Sequence, residues 1–247
     1  MTKYGIDVSR HNGAINWNSV KDSGKVDFAI LRAGYGKELS QKDSRFEEYY
    51  SACKRLGIPV GAYWYSYATS RAEAIQEANV FLQIVKGKSF EYPLYFDIEE
   101  KKQFALGRDT CSAMARVFCE TLENAGYYAG IYSSKSHLET YLSNEVRERF
   151  VVWVAHYGVG QTSYSGQFGM WQKSESGKIT GISGNVDLDE CYIDYPEIIQ
   201  GLRLNGFQKQ EKTVETVENP VETPELKGID IQVMIGGKQY SGTVYED

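Results

Sequence analysis

Five times before residue 142, a short apolar run leads into a segment of helical period. A chain with that rhythm folds as a parallel sheet with helices packed outside it. The strands read as Tyr4–Ser9, Phe28–Gly34, Ile58–Tyr67, Pro93–Glu99 and Tyr128–Ser133. The helices read as Trp17–Ser23, Arg45–Leu56, Arg71–Val85, Asp109–Ala125 and Ser136–Leu142. In Arg71–Val85, for example, Ala74, Ala78, Phe81, Leu82 and Val85 fall on one face. After residue 142 the rhythm stops. Phe150–His156, Gly169–Lys173 and Val186–Cys191 read as three more strands. The segments Tyr157–Phe168 and Ser174–Asn185 between them are rich in Gly and Ser and carry no helical period. Eight strands with helices after only the first five can close into a barrel, and closure leaves no bare sheet edge.

Near Phe207 the composition shifts. Residues 208–227, QKQEKTVETVENPVETPELK, hold no aromatic residue and no glycine and read as an extended acidic linker. Ile229–Ile235 and Lys238–Tyr245 flank Gly236-Gly237, which makes residues 228–247 a small C-terminal β-hairpin. A lone hairpin is marginal in water, so it needs a partner: the barrel, a ligand, or the same hairpin in another subunit.

Composition narrows the function by exclusion. The formal net charge is −6 and no basic stripe stands out, which argues against nucleic acid as a partner. No apolar run has the length of a signal peptide or a membrane span. The expectation is synthesis in the cytoplasm, with no membrane insertion. Cys53, Cys111, Cys119 and Cys191 show no metal spacing and read as reduced structural residues. His11, His137 and His156 form no HExxH-like pair, so a metal hydrolase is unsupported. A GxSxG elbow, a P-loop and a GxGxxG turn are all missing from the sequence. No metal or organic cofactor is expected.

The strongest chemical signal is Asp97-Ile98-Glu99 at the end of the fourth strand. Side chains two apart on a strand point the same way, and the C-terminal end of barrel strands is where α/β-barrel active sites lie. Two adjacent carboxylates repel, so one of them holds a proton. A protonated Glu beside an ionised Asp is the equipment for cleaving a glycosidic bond. Taken alone, the pair fits a solvated strand end better. Asp7 ends the first strand and Asp187 lies in the eighth, neighbours in a closed barrel, so all four acids can line one mouth. Tyr63, Tyr65 and Tyr67 alternate in the third strand, Tyr132 ends the fifth, Trp153 and Tyr157 frame the sixth, and Trp171-Gln172 lie in the seventh. With Arg32 of the second strand they are the candidate substrate contacts, because stacking faces around acids suit a sugar cleft. Core packing accounts equally well for any single one of these aromatics.

Together these motifs are identified as a resemblance to the glycoside hydrolase family 25 lysozymes, the N-acetylmuramidases of bacteria and phages. It covers Tyr4 to about Tyr195. The matching elements are Gly5-Ile6-Asp7-Val8-Ser9 with Gly13-Ala14-Ile15-Asn16-Trp17, Gly61-Ala62-Tyr63, Phe96-Asp97-Ile98-Glu99, Gly130-Ile131-Tyr132-Ser133, Trp153-Val154-Ala155-His156-Tyr157, Trp171-Gln172 and Val186-Asp187-Leu188-Asp189. Any one is weak, and their order is what is specific. The resemblance implies an α/β fold with an irregular, TIM-like barrel of five β/α units and three further strands. It implies cleavage of the β-1,4 bond from N-acetylmuramic acid to N-acetylglucosamine in bacterial peptidoglycan. By the family pattern Glu99 resembles the general acid and Asp97 the residue that orients the substrate's N-acetyl group, with Asp7 and Asp187 completing the acidic mouth. The chain departs from the pattern at Asn16, at Trp64-Tyr65 and at Asp189, where Asn is commoner.

The resulting division is a catalytic barrel (1–207), an acidic linker (208–227) and a hairpin (228–247) that serves oligomerisation or wall attachment, with homo-oligomerisation favoured. A phage endolysin that reaches the wall through a separate membrane pore is the expected setting, and a bacterial autolysin the alternative. The rival activities are a non-catalytic wall-binding module and a chitinase-like hydrolase.

Overall fold

The computed structural model describes residues 1–207, 229–235 and 238–244. Eight strands close into a barrel in sequence order: β1 (Lys3–Val8), β2 (Phe28–Tyr35), β3 (Val60–Tyr65), β4 (Leu94–Asp97), β5 (Ala129–Ser134), β6 (Val151–Ala155), β7 (Met170–Gly177) and β8 (Val186–Cys191). Neighbours from β1 to β7 pair in parallel, whereas β8 runs antiparallel to both β7 and β1. Connection length explains the switch. A parallel return needs a crossover of a dozen residues or so. Residues 156–169 provide one without a helix, and the shorter link from β7 to β8 does not.

Helices α1 (Trp17–Asp22), α2 (Phe46–Leu56) and α3 (Arg71–Val85) follow the first three strands. A single turn, α4 (Lys101–Phe104), and the long α5 (Arg108–Asn124) follow β4, and α6 (Lys135–Tyr141) and α7 (Asn144–Arg149) follow β5. Strand alternation sorts the apolar residues into two cores. Ile6, Leu31, Trp64, Phe96 and Val154 point outward and pack under the helices. Phe28, Ile30, Tyr95, Trp153 and Met170 point inward and fill the barrel.

The α/β barrel of five β/α units and three further strands is therefore what forms. One part of the expectation fails: helices do not stop after the fifth unit. An eighth helix, α8 (Tyr195–Gly201), follows β8, with Asp194 capping the Glu197 amide and a proline in its first turn. Its Tyr195 and Ile199 join the inner core. Tyr195 packs against Tyr92 and Tyr128, which precede β4 and β5, and so closes the N-terminal floor of the barrel. Only seven residues long, the helix has too few apolar positions to announce itself by period.

The segment after α8 stitches that floor shut. Fully buried Asn205 accepts the Tyr128 amide at 2.6 Å and donates its side-chain amide to the carbonyls of Phe90 (3.2 Å) and Tyr92 (2.9 Å). Its φ of +54° is a conformation that asparagine tolerates better than most residues. Asn205→Ala leaves three buried backbone groups without partners, so it is expected to destabilise the barrel by about 3 kcal/mol or more in urea unfolding. A loss below about 1 kcal/mol would mean that water replaces the amide.

Apart from the barrel, β9 (Ile229–Ile235) and β10 (Lys238–Val244) pair antiparallel, from Lys238 opposite Ile235 to Val244 opposite Ile229. The expected linker 208–227 and the Gly236-Gly237 loop lie outside the described residues.

Candidate active site

The C-terminal ends of the strands surround a cavity of about 860 Å³. Its floor and walls follow from alternation. Asp7 on β1, Arg32 on β2, Tyr63 and Tyr65 on β3, Asp97 on β4, Tyr132 on β5, Trp153 on β6, Gln172 on β7 and Asp187 on β8 all line it, as do Glu99 and Tyr157 just beyond strand ends. β4 ends at Asp97, so Glu99 reaches the cavity from the connecting segment instead of sharing a strand face. In the closed order β4 stands opposite β8, which sets Asp97 across the barrel from Asp187 and its direct partner Asp7.

Trp171, expected among the substrate contacts, is not part of this lining. Gln172 takes the inward position, so its neighbour must point out. Trp171 is buried in the outer core and donates its indole N–H to the His156 carbonyl at 2.9 Å. Gln172 instead organises the mouth. Its amide donates to Asp7 Oδ2 at 2.6 Å, and its carbonyl accepts the hydroxyls of Tyr132, at 2.6 Å, and Tyr157. Both hydroxyls thereby acquire fixed positions at the sugar-sized opening.

Sequence reading did not assign Ser9, Arg10, Asn12, Tyr35 and Glu175 to the site, yet they line the same cavity, together with His11 and Tyr67. Arg10, His11 and Asn12 form a short 3₁₀ turn capped by Ser9. Buried Asp43 was also missed. It accepts Arg32 Nε at 2.7 Å and the Arg10 amide at 3.0 Å, tying the turn to β2.

Enclosure sets the protonation. Burial, then the charges of Asp187 and Glu100, push Glu99 up to about 7. Asp97 is 2 % exposed, and its carboxyl is raised by burial and by Glu99 while Arg32 pulls it back. Burial raises Asp187 to about 6. Asp7 is raised by burial and then by Asp189 and Asp187, against the hydrogen bond from Gln172. A mouth of this kind holds protons in weakly acidic solution and can hand one to a leaving group.

Asp189 is 1 % exposed. One oxygen accepts Trp153 Nε1 at 2.8 Å, and the other has no partner. Burial holds its carboxyl well above the ordinary value. The folded state therefore takes up protons that the unfolded chain releases, and stability is lost as pH rises above the unfolded carboxyl range. Asn keeps the acceptor for Trp153 and removes the charge. Asp189→Asn is expected to raise the Tm at pH 8, by the equivalent of about 1–3 kcal/mol, and to change it little at pH 4. An equal loss of Tm at both pH values would sink this account.

Among the described residues no cluster of His, Cys, Asp and Glu could hold a metal ion. Comparison with known proteins points one way. The family model described as "Glycosyl hydrolases family 25" matches residues 6–182. The autolytic lysozyme of Clostridium acetobutylicum is 31% identical over 188 residues, 75% of this chain and 55% of that protein. The modular autolysin LytC from Streptococcus pneumoniae, solved in complex with a synthetic peptidoglycan ligand, superposes with a TM-score of 0.69 at 30% identity, covering 77% of this chain and 47% of that one. The bacterial lysozyme from Streptomyces coelicolor gives 0.69 at 28% identity, over 83% and 97%. The chain thus spans about half the length of the first two.

Proposed function

The chain belongs to glycosyl hydrolase family 25, and on that premise we propose that it is a lysozyme. It hydrolyses the β-1,4 bond from N-acetylmuramic acid to N-acetylglucosamine in bacterial peptidoglycan. The observation that carries this reading is one cavity in which Asp97 and Glu99 stand across the barrel from Asp7 and Asp187, walled by Tyr63, Tyr132, Trp153 and Tyr157. Glu99, protonated below about pH 7, donates to the glycosidic oxygen as the bond breaks. Asp97 orients the N-acetyl group and balances charge at the sugar, while Asp7 and Asp187 favour the developing cation. A water then completes the sugar, and ionised Glu99 takes up its proton.

Digestion of purified peptidoglycan tests the reading, with the new reducing ends identified by mass spectrometry. Muramic acid ends are expected. If the wild type bound the wall and released no reducing ends, the barrel would be a binding module; N-acetylglucosamine ends would make it a different hydrolase.

For the setting, the reading is an endolysin released through a separate membrane pore. Expressed in a susceptible bacterium, it then lyses the culture only after the membrane is permeabilised. Lysis without permeabilisation would point to export. The hairpin, in this reading, joins copies of the chain through its strand edges. Removing residues 208–247 is expected to lower the solution mass to that of one barrel, and an unchanged number of copies would discard the idea.

A further inference from the structure

We propose that the end of the cavity formed by Arg10 and Arg32 is a carboxylate subsite, which takes the acid group carried by the muramic acid side of the glycan. The inference rests on the lysozyme reading and adds to it a chemical reason for preferring muramic acid over a plain N-acetylglucosamine polymer. In a stripped glycan that acid is the lactyl carboxyl. In an intact strand it is a carboxyl of the stem peptide.

Acids and arginines share the cavity wall. Asp7 and Asp187 lie across the barrel from Asp97 and Glu99, and Asp97 is close enough to Arg32 for its carboxyl to be drawn down by that charge. At one edge the Arg32 guanidinium pairs with Asp43, which also accepts the Arg10 backbone amide. Arg32 is nine-tenths buried; its Nε donates to Asp43 Oδ2, and its Nη2 lies 2.7 Å from the same oxygen. That Nη2 is buried and has no partner among the described residues besides this ion pair. Asp43 has nothing left to offer, since Oδ2 also accepts the Arg10 amide and Oδ1 accepts the Arg45 amide at 2.9 Å. The Arg10 side chain is exposed and forms no ion pair among the described residues. Its guanidinium carbon lies 5.3 Å from the centre of the Tyr35 ring, and that of Arg32 lies 5.9 Å from the same ring. The aromatic ring thus holds both cations at one edge of the cavity without neutralising either.

The Arg10 guanidinium, a planar donor fork with no ion pair among the described residues and set beside a flat ring, matches a planar carboxylate in charge and in shape. His11, at the same end, is held below its ordinary value by burial and by Arg32 and Arg10, so it adds no competing charge.

The test uses the full chain and soluble glycans of alternating N-acetylglucosamine and N-acetylmuramic acid. One set carries the lactyl carboxyl free or as its methylamide, and the other carries a stem peptide with its carboxyls free or amidated. For the wild type, kcat/KM should be about tenfold higher for the free acid than for the amide in at least one set, and that set identifies the source. In Arg10→Gln the ratio should fall to near one. Because Arg32 neutralises a buried acid, Arg32→Lys is the second variant; it keeps the charge, loses the fork, and should give an intermediate ratio. A wild-type ratio near one in both sets, with active enzyme, would overturn the subsite and leave the lysozyme reading standing. An undiminished ratio in Arg10→Gln would also overturn it. Wild type inactive on every glycan would overturn the lysozyme reading, and the subsite with it.

Discussion

A Glu99→Gln protein is expected to release reducing ends from peptidoglycan about 100- to 10,000-fold more slowly than the wild type, the usual worth of a positioned general acid. Glutamine matches the carboxyl in size, and among the described residues the Glu99 carboxyl makes no hydrogen bond that the change would break. The fold should therefore persist, and wall binding with it. The pH profile supplies a second signature. Glu99 works protonated, and burial with Asp187 and Glu100 sets it near 7. Wild-type kcat/KM should therefore hold through the weakly acidic range and fall tenfold per unit as pH rises above about 7. In the variant that limb should vanish from the residual activity, because the amide has no proton to lose. A surviving limb near 7 would transfer the acid role to another group, and Asp187, near 6, is the first to examine.

The strand–helix rhythm was enough to anticipate the barrel, because each unit is local and its period is visible along the chain. Residues that depend on long-range packing were less legible. α8 is short, and its role at the barrel floor rests on Tyr92 and Tyr128, distant in sequence. Among site candidates, the inward residues of strands do line the cavity, since alternation is a local rule. It also separates Trp171 from Gln172, two neighbours that cannot both face the cavity, and the motif alone did not say which one does. Arg10 and Tyr35 sit at strand ends and turns, where no period guides the eye. Asp43 is 11 residues from Arg32 and meets it only in the folded chain. Nothing in the sequence around Asp189 signals the Trp153 indole that it meets in the folded barrel. The shared strand face was the wrong premise for Asp97 and Glu99, since Glu99 reaches the cavity from beyond the strand end.

Asp97→Asn should lower turnover at least a hundredfold, and the configuration of the product should say why. Asp97 is almost wholly buried, with one oxygen unpartnered; burial and the Glu99 charge raise its carboxyl, and the nearby Arg32 charge opposes them. Asp97 and Glu99 come from one end of β4, so they approach a bound sugar from the same side. A protein nucleophile and an acid need opposite sides of the ring. The substrate's own acetamido oxygen fills the vacant role: it bonds to the anomeric carbon as the glycosidic bond breaks and Glu99 protonates the leaving oxygen. Positive charge then spreads onto the acetamido nitrogen, where ionised Asp97 accepts its N–H. Asparagine can accept that hydrogen bond but brings no charge, and charge placed at a developing cation is where electrostatic stabilisation is largest. Two displacements at one carbon return the β configuration, so proton NMR of fresh product should show the β-anomer first. Substrate bearing trifluoroacetyl in place of acetyl should react more slowly, because its oxygen is the weaker nucleophile. A product born as the α-anomer would remove the acetamido step altogether. The water would then be activated from the far wall, by Asp7 or Asp187, and Asp97 would act on charge alone.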